Sequence, residues 1–359
     1  MKKDKYNVLG VMSGTSLDGV DLVYVSFAKN LQWQWKIIHA DTVPYNEKWM
    51  KLLFDITSMD INDIGIVDKE YTEYLGDIIL NFIEKNDIKE LDFVSSHGHT
   101  ALHQPERSLT YQIGNLPILA KLTNHRIVCD FRKQDVELGG QGAPLVPIGD
   151  QLLFRDYKYC LNLGGFANIS FQKDNVRVAY DVCPVNIVLN FFARKLSRDY
   201  DENGEIAKSG NLNSQLLDKL NDLEYYSLTY PKSLGYEWVR EYVFSIINSM
   251  NLTPADILRT FVEHISQQIG KNLGGNNSEK ILVTGGGSYN EFLIERIKHY
   301  TTPQIVLPSS NLIEYKEALI FSLLGVLRVR EEINCLKSVT GAKFDHCSGI
   351  IHPPKNYSY

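Results

Sequence analysis

Residues 13–21 concentrate small, hydroxyl-bearing and acidic side chains between two apolar stretches. They read Ser-Gly-Thr-Ser-Leu-Asp-Gly-Val-Asp. Backbone N–H groups and hydroxyls in such a turn can surround a phosphate, and an aspartate there can hold a cation or its waters. A polar hairpin tip explains the same composition without a ligand. No Gly-Lys-Ser/Thr sequence of the Walker type occurs in the chain, so a P-loop nucleotidase is not indicated.

Two glycine-rich turns follow predicted strands further along the chain. Gly164 and Gly165 come after the apolar residues 159–163, and three glycines at 285–287 come after residues 280–284. A turn between a strand and a helix is where nucleotides commonly approach the backbone. The triple glycine lacks G-x-G-x-x-G spacing, however, and a plain strand-to-helix turn explains it equally well.

Three histidines form an H-x-H-x3-H pattern after the predicted strand at residues 91–95. They are His97, His99 and His103. Histidines two residues apart on an extended chain can share one metal ion, which would indicate a metal-dependent hydrolase. No aspartate or cysteine nearby completes a ligand set, and a loop that hydrogen-bonds a polar substrate fits equally well.

Arg132 lies in the sequence Asp130-Phe131-Arg132, after an apolar stretch. Its planar guanidinium could clamp an anionic group, although a structural ion pair is the commoner fate of an arginine beside an aspartate. The glycine-dense residues 139–144 follow and suit a hinge or the wall of a substrate site.

Asp181 ends a predicted strand at residues 176–180 and precedes a predicted helix that starts at about Asn186. A carboxylate at the carboxyl end of a strand is a natural general base. The cap of the following helix would explain the same aspartate equally well.

The elements that must position these residues alternate between strand and helix. A strand–turn–strand unit at residues 8–27 recurs in similar form at residues 159–180, and helical segments follow each copy. This recurrence predicts a duplicated α/β architecture with one half in each domain. Apolar residues at steps of four predict an amphipathic helix over residues 256–273, and residues 317–329 predict a further apolar helix.

The composition is that of a globular protein and disfavours several functional classes. The 359 residues are 44% hydrophobic, and 37 Lys and Arg against 43 Asp and Glu give a net charge of −6. No broad cationic surface follows, so nucleic acid is not an expected partner. The longest apolar run, residues 318–327, is about half the length of a spanning helix, so no membrane contact is expected. Five widely spaced cysteines without a CxxC pair indicate neither a disulfide framework nor a zinc ribbon and suit a reducing cytoplasm.

Taken together, these segments resemble the anhydro-N-acetylmuramic acid kinase family of the actin/hexokinase sugar-kinase superfamily. The similar motifs follow one another in order over nearly the whole chain. They are residues 10–21, 96–100 with His103 and Pro105, Asp130-Phe131-Arg132 with Asp135, and residues 139–147, 161–170, 201–210, 231–233, 285–290, 317–318 and 338–342.

The resemblance implies an α/β fold of two actin-like (ribonuclease H-like) domains with an interdomain active-site cleft. Domain I would comprise residues 1–130 plus about 320–359, and domain II residues from about 131 to 319. The implied enzyme is an ATP-dependent sugar kinase of peptidoglycan recycling. It would open 1,6-anhydro-N-acetylmuramic acid with water and phosphorylate O6, which gives N-acetylmuramic acid 6-phosphate. The resemblance also implies ATP and Mg²⁺ as cofactors, with Mg²⁺ bound through ATP, and a homodimer.

The resemblance also assigns roles to individual residues. Asp181 would be the catalytic base that deprotonates the attacking water. The residues that would bind the sugar and its lactyl carboxylate, or line the site around them, are His97, His99, Arg132 and Glu317. The nucleotide and its phosphates would be bound by Ser13, Gly14, Thr15, Ser16, Asp18, Gly19, Asp21, Gly164, Gly165, Asn168, Gly285, Gly286 and Gly287.

The chain departs from the family pattern around the expected base and sugar site. The family's Asp-Thr-Gly-Pro is here Asp181-Val182-Cys183-Pro184, its loop glutamine is His99, and its Thr-Gly-Arg-Glu is Leu234-Gly235-Tyr236-Glu237. If the lost glycine required a positive φ, a cysteine there would cost about 1–2 kcal/mol or force another loop path. The departures leave an alternative open, a divergent member with changed sugar specificity or with a non-catalytic nucleotide- or sugar-binding role.

Overall fold

The computed structural model describes residues 3–14 and 17–354. Contacts within the chain divide it into two units. The first runs to Leu153 and resumes at Tyr315, and the second runs from Phe154 to Glu314. The domain boundaries predicted from the sequence lie after residue 130 and near residue 319. In the structure, the segment 131–153 instead groups with the first unit. The assignment of the units as functional domains stays a prediction.

The described residues form two large sheets, one hairpin and the helices that cover them. The strands are β1 (Lys5–Ser13), β2 (Gly19–Lys29), β3 (Trp33–Pro44), β4 (Phe93–Ser96), β5 (His99–Gln104), β6 (Leu109–Ile113), β7 (Ile127–Cys129), β8 (Tyr159–Leu163), β9 (Phe166–Lys173), β10 (Val176–Pro184), β11 (Lys280–Thr284), β12 (Gln304–Val306) and β13 (Ile350–His352). The helices are α1 (Glu47–Asp55), α2 (Ile61–Lys85), α3 (Ile118–Thr123), α4 (Lys133–Glu137), α5 (Val146–Leu153), α6 (Asn186–Arg194), α7 (Glu205–Ser209), α8 (Ser214–Asn221), α9 (Tyr236–Trp238), α10 (Phe244–Asn248), α11 (Pro254–Asn272), α12 (Glu291–Tyr300), α13 (Ser310–Val329) and α14 (Lys337–Thr340).

The two large sheets share one five-strand topology, to which the first sheet adds β13, antiparallel to β7. The first has the order β13-β7-β4-β1-β2-β3 and the second the order β10-β9-β8-β11-β12. In each, the first three strands pair antiparallel as a meander, and two later strands add in parallel on the other side of the first strand. This is the ribonuclease H-like arrangement. The predictions of an α/β fold of this class and of a duplicated architecture are confirmed.

Successive side chains of a strand point to opposite faces of its sheet, and the residues of one face pack into a shared apolar core. Leu9 and Val11 of β1 and Val20 and Leu22 of β2 lie in the core of the first unit, two residues apart along each strand. In the second unit, the predicted stripe of α11 packs on the sheet, and its residues Ile257, Phe261, Ile265 and Ile269 are buried. Thr253 caps this helix by accepting a hydrogen bond from the Asp256 N–H.

Helix α13 begins at Ser310, earlier than the predicted start at residue 317. The charged residues Glu314 and Lys316 interrupt the apolar pattern before residue 317. Lys316 is nevertheless buried, because it forms an ion pair. Lys316 Nζ lies 2.8 Å from Asp150 Oδ1, and both side chains are buried. The apolar run at 318–327 is buried throughout. Across residues 3–14 and 17–354, no helix combines the length and apolar character that crossing a bilayer requires.

β1 and α13 approach each other closely at Gly10. A Cβ atom at Gly10 would lie 2.1 Å from Ser322 Oγ and 2.5 Å from the Ala318 carbonyl oxygen. The backbone carbonyl cannot move away as a side chain could. The close contact between strand and helix therefore requires glycine at this position.

We expect Gly10→Ala to lower the free energy of unfolding by about 1–3 kcal/mol, because the added methyl group overpacks this contact. Gly65 of α2 is the matched control, since a Cβ there meets no atom within 4 Å. Gly65→Ala should raise the same free energy by about 0.5–1 kcal/mol through helix propensity. Urea unfolding of both variants checks the pair, and equal stability of Gly10→Ala and the wild type would refute the close contact.

Candidate active site

The predicted phosphate turn connects β1 to β2. Ser13 ends β1, and its buried Oγ lies 2.6 Å from Tyr45 Oη and 2.8 Å from His99 Nδ1. The hydroxyl is thus engaged inside the first unit. The predicted contact of Ser13 with a phosphate stays a prediction.

The remaining residues of the turn differ in how freely they face solvent. Asp18 is exposed, whereas Asp21 accepts a hydrogen bond of 2.6 Å from Thr42 Oγ1 on β3. Gly14 is half-buried and Gly19 is buried at the start of β2. The predicted ligands Thr15 and Ser16 lie outside the described residues. Asp18 is therefore the carboxylate of this turn that is best placed to meet a cation or its waters.

His99 lies behind this turn and is not exposed at a sugar-binding surface. The ring is 2% exposed and packs edge-on against Tyr71, with 6.3 Å between ring centroids. Burial lowers the pKa of His99 to about 4, so the imidazole is neutral near pH 7. The structure thus brings His99 to Ser13, and its predicted contact with the sugar stays a prediction.

His97 and Arg132 form a hydrogen-bonded pair. Arg132 Nε donates to His97 Nε2 at 3.0 Å, and Arg132 Nη1 donates to the Gly142 carbonyl at 2.8 Å. Burial and the nearby Arg132 charge hold the pKa of His97 well below its usual value. A neutral ring can accept this bond, so His97 orients the guanidinium fork. Phe321 packs against the His97 ring with 4.6 Å between centroids.

Glu317 lies on the exposed side of α13. Burial lowers the pKa of Arg132, and the negative charge of Glu317 is the strongest influence in the opposite direction. The first unit therefore brings together three of the four predicted sugar-site residues: His97, Arg132 and Glu317.

The three histidines of the H-x-H-x3-H pattern do not converge on one metal ion. His97 faces Arg132, His99 faces Ser13, and His103 Nδ1 lies 3.1 Å from Thr110 Oγ1. Within the described part of the chain, the group that could hold a metal consists of other residues. The histidine pattern therefore gives the metal-hydrolase interpretation no ligand set.

A row of polar residues crosses four strands of the second sheet. Thr284 of β11 pairs with Asn162 of β8, Asn162 pairs with Asn168 of β9, and Asn168 pairs with Asp181 of β10. Directly paired residues place their side chains on the same face of a sheet. The opposite face carries the apolar core, which includes Leu161 and Ile169. The predicted base therefore lies in line with amide and hydroxyl groups.

Asp181 is held by a backbone N–H at its carboxylate and by a tyrosine hydroxyl at its carbonyl. The Leu234 N–H donates to Asp181 Oδ2 at 2.9 Å, and Tyr225 Oη donates to the Asp181 carbonyl at 2.6 Å. Burial raises the pKa of Asp181, while the Leu234 N–H acts in the opposite direction. The residue at the cap of α6 is Val185, which makes no side-chain cap bond. The helix-cap interpretation of Asp181 is therefore wrong.

The predicted glycine turns lie beside this row. Gly164 and Gly165 form the turn between β8 and β9, and their carbonyls accept hydrogen bonds from the N–H groups of Val185 and Asn186 at the start of α6. Gly165 is exposed, and a Cβ there would meet no atom within 4 Å. Open space at a backbone turn suits the approach of a phosphate.

The triple glycine follows β11 and packs against β8. Gly285 has φ +83°, and a Cβ there would lie 2.7 Å from Asn162 Oδ1. Gly286 is exposed and Gly287 is buried against Leu163. The triple glycine therefore brings its backbone directly beside the polar row.

Three groups of this site were not predicted from the sequence: the Asn162 side chain, the Thr284 side chain and the Leu234 N–H. Asn162 was visible as a lone amide inside an apolar strand. Its pairing with Asn168 depends on the register between β8 and β9, which cannot be read from the sequence. Leu234 contributes a backbone N–H, which no pattern of side chains in the sequence could have indicated.

Comparison with known proteins places the chain in a family. The family model described as anhydro-N-acetylmuramic acid kinase matches residues 6–354. The chain belongs to the anhydro-N-acetylmuramic acid kinase family. The family prediction made from the motifs is thereby confirmed.

Curated relatives match over nearly their whole length. An anhydro-N-acetylmuramic acid kinase from Haemophilus influenzae is 32% identical, covering 98% of this chain and 99% of the relative. One from Pasteurella multocida is 34% identical over 98% of both chains. Among solved structures, a xylulose kinase from Lactobacillus acidophilus covers 98% of this chain and 94% of its own, with a TM-score of 0.44 and 10% identity. That last likeness is too remote to carry an argument.

The departure of this family member at Val182 and Cys183 has a simple structural basis. The pairing of β10 with β9 shifts register between Asp181 and Cys183 through a β-bulge. Val182 and Cys183 consequently both lie in the apolar core, where Cys183 is fully buried. Cys183 is not among the residues with positive φ. The expected backbone strain at this position is therefore absent.

We expect Cys183→Gly to lower the free energy of unfolding by about 2 kcal/mol, because it removes a buried side chain and adds backbone freedom to a strand. Cys183→Ala should lower it by less. Thermal and urea unfolding of the two variants separate these effects. A glycine variant as stable as the wild type would mean that this position does not need a side chain in the core.

Proposed function

We propose that this chain is an ATP-dependent kinase that opens 1,6-anhydro-N-acetylmuramic acid with water and phosphorylates O6, giving N-acetylmuramic acid 6-phosphate in cell-wall recycling. Family membership supports the reaction and the substrate. The observation that carries the proposal within the chain is Asp181. It is a partly buried carboxylate with a raised pKa, fixed by the Leu234 N–H and aligned with the polar row of the second sheet.

Asp181 would act on the water that attacks the anomeric carbon. Its carboxylate accepts one proton from water as the new bond from oxygen to C1 forms. The bond from C1 to the bridging oxygen breaks, and that oxygen becomes O6, which takes the γ-phosphoryl group of ATP. A base whose pKa is raised toward the working pH accepts a proton more effectively than an ordinary aspartate. The Leu234 N–H keeps one carboxylate oxygen in place while the other remains available.

Arg132 would bind the lactyl carboxylate of the sugar. Its Nε is oriented by His97 and its Nη1 by the Gly142 carbonyl, so the fork is fixed before substrate arrives. Fixing the fork in advance reduces the entropy lost on binding. Glu317 would accept hydrogen bonds from sugar hydroxyls, because its side chain is solvent-accessible and close enough to Arg132 to influence its pKa. The surrounding protein raises the pKa of the Glu317 carboxyl.

Each unit has a turn that suits a part of the nucleotide. The open backbone at Gly165 and the exposed Asp18 carboxylate fit a nucleotide phosphate and its cation. Mg²⁺ bound with ATP neutralises charge on the phosphoryl groups. Asp18 would hold this ion through its waters, while Asp21 stays bonded to Thr42.

A cytoplasmic setting and a homodimer belong to the same proposal. All five cysteines are unpaired, which suits a reducing compartment. The alternative of a divergent or non-catalytic member has no observation in its favour. The substitutions beside Asp181 pack into the core, and the carboxylate itself is retained.

We expect Asp181→Asn to reduce sugar-dependent ADP release by about 10²–10⁴-fold, because the amide cannot accept the proton of water. The affinity for ATP should remain within about twofold, since a base acts in the transition state. Asp174→Asn is the matched control, because Asp174 is exposed in the turn between β9 and β10. Near wild-type turnover in Asp181→Asn would remove this residue from the mechanism.

The raised pKa of Asp181 predicts a particular pH dependence. The base works as the carboxylate. We therefore expect kcat to increase as the pH rises through the raised pKa of Asp181, and to be low at pH values below that pKa. The acid limb should therefore lie above the ordinary aspartate value of about 3.9. Steady-state rates from acid to neutral pH check this limb, which should vanish from the residual activity of Asp181→Asn. An acid limb that persists unchanged in that variant would assign it to another group.

We expect Arg132→Lys to raise KM for the sugar by about 10–100-fold and to leave KM for ATP unchanged. An ammonium cannot reproduce the planar fork that His97 and Gly142 hold in place. The control is Lys133→Arg, the reciprocal change at the neighbouring exposed cation. Steady-state kinetics with each substrate varied in turn separate the two constants. A larger effect on ATP than on sugar would contradict the role given to Arg132.

A further inference from the structure

Asp135, Cys335 and His346 form a buried cluster in the first unit that the proposed reaction does not use. One carboxylate oxygen, the thiol sulfur and one ring nitrogen all lie within 4.8 Å of one another, and all three residues are buried. These three atom types are the ones that bind zinc in proteins. The types and spacing of these three atoms are therefore compatible with a bound metal ion.

The backbone fixes two of the three side chains next to each other. Cys335 and His346 face each other in an antiparallel bridge, where each residue donates its N–H to the carbonyl of the other at 3.1 Å. Directly opposed residues place their side chains on one face of the pair. Cys335 and His346 thus present sulfur and imidazole side by side, although eleven positions separate them in the chain.

His346 carries a buried nitrogen that lacks a hydrogen-bond partner. Its Nδ1 lies 3.1 Å from the Phe344 carbonyl, an acceptor, so Nδ1 carries a proton that it donates to this oxygen. The other nitrogen, Nε2, has no hydrogen-bond partner among residues 3–14 and 17–354. It lies 3.5 Å from Asp135 Oδ1, which is also an acceptor. Two acceptor atoms that face each other in a buried site need a positive charge between them, which a bound cation or a proton on Nε2 can supply.

The Asp135 carboxylate is already oriented toward this nitrogen. Thr340 Oγ1 donates to Oδ1 at 2.7 Å, and the Gly142 N–H donates to Oδ2 at 2.7 Å. Protein metal sites show the same outer arrangement, in which a ligating histidine donates its second N–H to a carbonyl and a ligating carboxylate is hydrogen-bonded. The Phe344 carbonyl, Thr340 and Gly142 supply those outer contacts here.

We propose that Asp135 Oδ1, Cys335 Sγ and His346 Nε2 bind one thiophilic divalent cation of the zinc class. Two ligands of a tetrahedral zinc ion, each about 2.0–2.1 Å from the metal, lie about 3.3 Å apart. The observed 3.5 Å between Oδ1 and Nε2 is close to that value. A water molecule completes the tetrahedron. Cys335 binds as a thiolate, so its thiol proton is released to solvent when the metal binds.

The cation would join two segments that are distant in sequence. Cys335 and His346 belong to the C-terminal part of the chain, whereas Asp135 lies on α4 and bonds to the Gly142 N–H. The Gly142 carbonyl accepts from Arg132. The ion thus has a positioning role, because it fixes the glycine-rich loop that orients the Arg132 fork.

The test uses the full chain, freed of metal with a chelator and titrated with Co²⁺, a spectroscopic substitute for zinc. We expect one equivalent to bind and to produce thiolate-to-cobalt charge-transfer absorption in the near ultraviolet. Cys335→Ser should abolish that absorption, and Cys347→Ser, the matched control at a neighbouring cysteine outside the cluster, should retain it. Zn²⁺ should displace the cobalt and raise Tm of the wild type but not of Cys335→Ser.

A second variant keeps the test decisive if Cys335→Ser fails to fold. His346→Gln should weaken Co²⁺ binding by at least tenfold, as removal of a ligand does, while the thiol remains. Absence of cobalt absorption in the wild type would overturn the proposal. Retention in Cys335→Ser, or loss in Cys347→Ser, would also overturn it. These measurements require neither sugar nor ATP. Their outcome is therefore independent of whether the proposed kinase activity is correct.

Discussion

The backbone hydrogen bonds between β8, β9 and β10 determine which face of the second sheet carries Asp181. They align Asn162, Asn168 and Asp181 in one row, and a slip of one residue would turn the carboxylate into the apolar core. The bulge after Asp181 then sends two successive residues into that core. The catalytic proposal depends on this register, because the pKa of Asp181 and its contact with the Leu234 N–H both follow from its position.

The first unit uses buried polar side chains to support the residues around its predicted ligand-binding turns. Ser13 and His99 are bonded to each other below the turn that follows β1, and His97 supports Arg132. Both histidines are kept neutral by burial, so they act as hydrogen-bonding groups rather than as charges near pH 7. The histidine that replaces the family's glutamine can therefore remain inside the unit without introducing a buried positive charge.

Local patterns in the sequence were sufficient to predict the family and several of the strands and helices. The helix from Pro254 to Asn272 followed from its four-residue spacing, and the repeated strand units indicated the duplicated sheet. Features that arise between distant residues could not be predicted. The burial of Lys316 within α13 is accompanied by an ion pair with the distant Asp150, and the grouping of Asp135 with Cys335 and His346 depends on a bridge near the C-terminal end of the chain. Long-range pairing of this kind leaves no periodic signal in the sequence.

The identity of the reaction product tests the central claim most directly. The purified chain would be incubated with ATP, Mg²⁺ and 1,6-anhydro-N-acetylmuramic acid, and the products would be identified by mass spectrometry. The account predicts ADP together with N-acetylmuramic acid 6-phosphate, whose mass exceeds that of the substrate by one water and one phosphoryl group. ATP binding without any sugar phosphate would contradict it, and so would a phosphorylated sugar whose anhydro bridge is still intact.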